Sequence, residues 1–186
     1  MGSTSPRRAP VSLERMFALG VDPGLSRCGY GAVRSERGSL EAVAYGHLST
    51  PTDLPLAERL AVLWDDMVDL VAELRPDVMV VERVLFQVNA RTAMSVGQAS
   101  GIALTIAARA GCQVVQYSPN EVKLAVTGYG AATKQQVQDM VRVLLDLPEA
   151  PRPADRADAL ALAVCHLSGA GLRASAAAGA GAGGRR

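Results

Sequence analysis

The sequence predicts an α/β fold, a mixed sheet covered by helices. Two observations carry this. Three strand-like segments stand close together at the start, placed to pair as meanders. After them, short apolar runs alternate with segments of helical period, as when parallel strands are joined by crossover helices.

Each element has its own signal. Phe17 to Val21 is a short apolar run closed by Asp-Pro-Gly, so a buried strand ending in a turn. Cys28 to Arg34 and Leu40 to Leu48 read as two more strands, joined near Ser35-Glu36-Arg37-Gly38. Leu56, Leu60, Leu63, Trp64, Met67, Leu70, Val71 and Leu74 recur at three- and four-residue steps, one apolar face of a long helix that Pro76 stops. Val78 to Val81 is a continuous apolar strand with Glu82 at its C-terminal end. A helix over about Thr92 to Ala110 ends at Gly111, and Gln113 to Tyr117 makes the fifth strand. Thr133 and Gln136 have capping-box spacing and open another helix. The last helix starts near Asp155, after Pro151-Arg152-Pro153.

Bulk properties exclude some classes. The 186 residues are 49% hydrophobic and 20% charged, ordinary for one globular domain with a real core. A formal net charge of +1 neither argues for nor against a nucleic-acid partner. Cys28, Cys112 and Cys165 are scattered and form no CxxC pair, which points to buried free thiols rather than zinc or disulfides. No apolar run approaches the ~20 residues of a membrane span, and the start lacks a signal-peptide core. A cytoplasmic location is expected. Residues 1–15, rich in Pro, Ser and Arg, are expected to be disordered, with Met16 an alternative start. The domain is expected over 16–168, followed by a flexible Ala/Gly-rich tail over 169–186.

The candidate chemistry lies in carboxylates. Asp22 ends the first strand and Glu82 the fourth, where side chains of an α/β sheet meet ligands. Asp155 and Asp158 are three apart and share one face of the last helix. Singly, each has a plain structural explanation. Asp22 serves equally as a turn former beside Pro23, and Glu82 as an exposed strand end. Asp155 fits an N-cap or first-turn acid, and Asp158 a solvated helix residue. Together they form a self-repelling cluster that makes sense if cations neutralise it. Oxygen ligands without His or Cys select magnesium, or manganese in its place. Two such ions ~3.5–4 Å apart can carry phosphodiester hydrolysis.

Four blocks then stand in order: LGVDPGLSRCGYG, VVERVLFQVNARTAMSVGQASG, VKLAVTGYGAATKQQVQDMV and ADRADALALAVCH. Over about residues 17 to 168 the chain resembles the RuvC family of Holliday junction endonucleases. The resemblance implies an RNase H-like fold with a five-stranded mixed sheet, a homodimer, and paired symmetric nicks across a four-way DNA junction. It implies that Asp22, Glu82, Asp155 and Asp158 are catalytic metal ligands, that Lys123 and Lys134 bind DNA, and that RuvA and RuvB are partners. Products would carry 5′-phosphate and 3′-hydroxyl ends. At the position where the family often has an aromatic base probe stands Leu85, with Phe86 next to it. Arg156, between the last two acids, is bulkier than the resemblance leads one to expect, and either reaches a phosphate or points to solvent.

From Arg83 to Arg142 there are six basic residues, Arg91 among them, against two acids, while the helix at 58 to 73 is acidic. This charge fits either a basic side facing DNA or scattered solvated charge, with Asn89 and Gln98 as polar contacts or ordinary surface amides. Lys134 beside a helix's positive end suggests a phosphate to meet. Ala93, Gly97, Gly101, Leu104 and Ala108 form a small-residue ridge, fit either for a dimer or for packing on the sheet. His47 and His166 read as structural. The competing readings are an actin-like ATPase, for which 186 residues leave no room, an RNase H-fold nuclease acting on RNA, and a non-catalytic junction-binding protein.

Overall fold

The computed structural model describes residues 15–83 and 90–182, the side chains of 90–92 and 170–182 excepted. Its elements are β1 (Arg15–Asp22), β2 (Arg27–Glu36), β3 (Ser39–Ser49), α1 (Leu56–Leu74), β4 (Val78–Glu82), α2 (Ala90–Arg109), β5 (Gln113–Tyr117), α3 (Pro119–Thr127), α4 (Lys134–Leu144) and α5 (Ala154–Ala182). The five strands form one sheet in the order β3-β2-β1-β4-β5. β1, β2 and β3 pair antiparallel as meanders, while β4 and β5 add in parallel to β1 through the α1 and α2 crossovers. This is the mixed sheet that the order of apolar periods implies.

The period-2 alternation of β1 and β4 divides the core in two. Leu19, Val21, Met79 and Val81 face one way and pack with Leu63 and Met67 of α1 and Ala99, Ala103 and Ile106 of α2. Ala18, Val78 and Val80 face the other way, toward Val122 and Val126 of α3, Val137 and Val141 of α4, and Leu160 and Val164 of α5. α1 ends where the sequence says it must. Arg75 takes a left-handed conformation (φ 50°) and caps Val71 O through its N–H, and Pro76 follows.

Two outcomes differ from the sequence reading. Helix α3 fell between expected elements, yet Ser118 and Glu121 form a capping box with Pro119 in the first turn. That Ser-Pro-Asn-Glu signal was present in the chain. The backbone of α5 also continues past the boundary expected at residue 168, to Ala182. Alanine is the strongest helix former, and the interspersed glycines weaken a helix without ending it. At the other end, Arg15 already pairs with Glu36 in the sheet.

Candidate functional site

Strand alternation sets the first two acids. Asp22 and Glu82 have the parity of Ala18, Val78 and Val80, so both point to the face that α5 covers. Register sets their separation along the sheet. Val21 pairs with Val81 in parallel, and each acid lies one residue further on.

The other two acids depend on how closely α5 approaches the sheet. Gly20 of β1 and Gly31 of β2 are directly paired, and Gly29 sits two residues before Gly31 on the same face. A Cβ on Gly20 would lie 1.9 Å from the Ala159 carbonyl oxygen, and one on Gly29 would lie 2.2 Å from that of Asp155. The three glycines form a trough that holds the backbone of α5, with Ala159 and Ala163 as its small contact residues. No larger side chain lets the helix come down so far.

Asp22, Glu82 and Asp158 thus line one cavity of about 340 Å³, together with Lys123 of α3 and Lys134 of α4. Burial, then the charges of Glu82, Asp158 and Asp155, push Asp22 up to about 7. Burial and the nearby Asp158 raise Glu82 as well. Asp158 also goes up despite a 2.6 Å bridge from Lys134 Nζ to its Oδ2, because burial outweighs the bridge. For Lys134, partial burial works against the ammonium, but the hydrogen bond and charge of Asp158, with Asp22 and Asp155 behind, hold its pKa above the usual value.

Asp155 behaves differently from the other three acids. It does not line the cavity, and its Oδ2 lies 3.5 Å from Arg27 Nε. Arg27 was not foreseen, although β2 starts beside the end of β1 and any residue there stands near Asp22. Among the described residues no three acids, imidazoles or thiols converge into a finished cation cage. Lys134 engages Asp158, and Arg27 engages Asp155.

The remaining candidates fall out as follows. Arg156 does not simply point to solvent. It turns inward, with Nη2 3.4 Å from His47 Nδ1, and its buried Nε has no hydrogen-bond partner among the described residues. Arg83 is tied to the Gln116 carbonyl at 3.1 Å and stands 3.8 Å from Glu121. His166 is buried and shares a 3.0 Å hydrogen bond with the Tyr117 hydroxyl, as a structural histidine would. The three cysteines are free and buried, and burial pushes the Cys28 thiol up to about 12. Leu85, Phe86 and Asn89, and the side chain of Arg91, lie outside the described residues. On α2, Ala99, Ala103 and Ala107 face the core, whereas Gly97, Gly101 and Ala108 of the small-residue ridge are exposed. No described helix is long and apolar enough to cross a membrane.

Known proteins resemble this chain in sequence and fold. A family model described as crossover junction endodeoxyribonuclease RuvC matches residues 18–166. The chain is 50% identical over 150 residues to the protein of that name from Heliobacterium modesticaldum, spanning 81% of this chain and 93% of the relative. Identity to the one from Desulforamulus reducens is 48% over 151 residues, again 81% and 93% of the two chains. The structure of Thermus thermophilus RuvC superposes with a TM-score of 0.78 at 35% identity, covering 85% of this chain and 97% of that one. The same organism's RuvC in complex with Holliday junction substrate gives 0.80 at 34% identity, covering 85% and 96%. With these likenesses over nearly the whole described domain, the chain belongs to the RuvC family and has its RNase H-like fold.

Proposed function

We propose that this chain is an endonuclease that resolves four-way DNA junctions by paired symmetric nicks, with Asp22, Glu82, Asp155 and Asp158 as its catalytic acids. One observation carries the reading. Three carboxylates from three separate elements meet two lysines in one cavity, in a chain of the RuvC family. A structural acid cluster would not need its own buried repulsion.

The donors suit a hard divalent cation. They are all carboxylate oxygens, and two of the acids, Glu82 and Asp158, are held above their ordinary pKa by burial, as Asp22 is. Magnesium, with manganese as substitute and two ions per site, is the proposed cofactor. When bound, the ions supply an activated water and stabilisation of the leaving 3′ oxygen. The chain's own residues bind and orient. Asp22, Glu82 and Asp158 face the reacting phosphate, and Asp155 completes the set after leaving Arg27. Lys123 and Lys134, which line the same cavity, meet phosphate oxygens. Leu85, Phe86 and Asn89, between β4 and α2, and Arg91 at the start of α2 complete the proposed DNA contacts.

A two-fold substrate calls for a two-fold enzyme, so a homodimer is part of the proposal. The exposed side of α2, with Gly97, Gly101 and Ala108 and with Met94 66% exposed, is the surface that supports it. RuvA and RuvB are the proposed partners, and a cytoplasmic location is part of the proposal.

The test is cleavage of a synthetic mobile junction, a linear duplex and an RNA–DNA hybrid, each with magnesium or chelator. Magnesium-dependent paired nicks in the junction alone are expected. Cutting of the hybrid instead would favour an RNA-directed nuclease. Asp22→Asn should keep junction binding and lose cutting. Equal cleavage by Asp22→Asn and the wild type would remove Asp22 from the mechanism.

A further inference from the structure

The two lysines in the cavity are not equivalent. Lys134 Nζ is 2.6 Å from Asp158 Oδ2, whereas Lys123, which lines the same cavity, makes no ion pair among the described residues. Lys134 opens α4, where the free N–H groups and the helix dipole disfavour a cation. Its helix does not need it there. Thr133 and Gln136 already satisfy that end through a reciprocal capping box. The lysine is therefore placed for the acids rather than for the helix.

We propose that Lys134 is a displaceable internal cation of the acid cluster, holding Asp158 until a divalent ion takes that carboxylate, so that metal binding and release of the ammonium are one exchange. This rests on the reading of the acids as metal ligands. Three further observations support it. The Lys134 side chain is 59% exposed and Asp158 only 27%, so the lysine can swing out on its flexible stem while the acid stays in place. A single ammonium is a poor match for a cluster in which Asp22, Glu82 and Asp155 act on the same site, and a divalent ion neutralises more of it. And while this bridge and that of Arg27 to Asp155 persist, no finished cation cage is present among the described residues. Once displaced, the ammonium stays on a residue that lines the same cavity, where it can meet an incoming phosphate. The exchange would thus turn a guard of the acids into a DNA contact.

The experiment is manganese binding to the full chain without DNA, followed by the electron paramagnetic resonance signal of free Mn2+. Wild type, Lys134→Met and Lys123→Met are compared. Lys134→Met should tighten manganese binding about fivefold, as removal of a competing half-exposed ion pair allows. Lys123→Met, which deletes the same charge from the same cavity, should change it less than about twofold. Equal tightening in both would reduce the effect to general electrostatics and overturn the exchange, as would no tightening in Lys134→Met. A second reading uses the 15N signal of the Lys134 ammonium. It should move to that of a free lysine as magnesium saturates, and a signal that does not move overturns the proposal. Absence of manganese binding in all three proteins would instead remove the metal reading on which the proposal stands.

Discussion

The glycine trough makes the strongest demand on the sequence, and Gly20→Ala tests it. The added Cβ would sit 1.9 Å from the Ala159 carbonyl oxygen and 3.0 Å from the Ala163 nitrogen. Both are backbone atoms of α5, so no side chain can rotate away. Restoring even 3.0 Å to that oxygen requires the helix to retreat by more than about 1 Å. Overpacking a core costs ~1–3 kcal/mol, and an obstacle made of helix backbone puts this case at the upper end, about 3 kcal/mol. The displacement also carries Asp158 away from Asp22 and Glu82, and a shift of ~1 Å at a reacting centre can cost ~10²-fold in rate. Urea unfolding should show the stability loss, and junction cleavage at saturating magnesium should fall by about two orders of magnitude in the protein that remains folded. A Gly20→Ala protein with wild-type midpoint and wild-type turnover would refute the claim that close approach of α5 assembles the site.

Three further outcomes are expected. Asp22, raised to about 7, adds stability that is full below its unfolded value of 3.8 and is lost as pH rises through 7, up to about 4 kcal/mol in chelator. Magnesium binds the deprotonated acids, so the gap between unfolding midpoints with magnesium and with chelator should widen from pH 5 to pH 8, and a constant gap would contradict the clustered burial. Gly101→Leu places a side chain in open space on α2, so the fold should hold while sedimentation shows a shift from dimer to monomer. An unchanged dimer would move the interface elsewhere. Ser118→Ala removes the side-chain cap of α3, and chemical denaturation should report a loss of about 1 kcal/mol.

Much of the sheet was legible because apolar period is a local property. β4 and β5 were readable from runs of a few residues, and α1 from one apolar face closed by Pro76. α3 was passed over although its capping box lies in four consecutive residues, because its short apolar face is too brief to show a period. Arg156 shows the opposite limit. Nothing local indicates that a residue between two acids will turn toward His47, a partner 109 positions away in the chain.

Chain chemistry alone determined the order of the strands and of the helices other than α3, the ends of several helices, and the four acids that a hard cation would need. It did so because propensity, capping and charge type act over a few residues. Only the tertiary structure decided that Asp22, Glu82 and Asp158 share a cavity while Asp155 turns to Arg27, and that Lys134 rather than Lys123 takes an acid. Those outcomes depend on register between β1 and β4 and on how deep α5 settles on glycine, distances set by residues far apart in the chain.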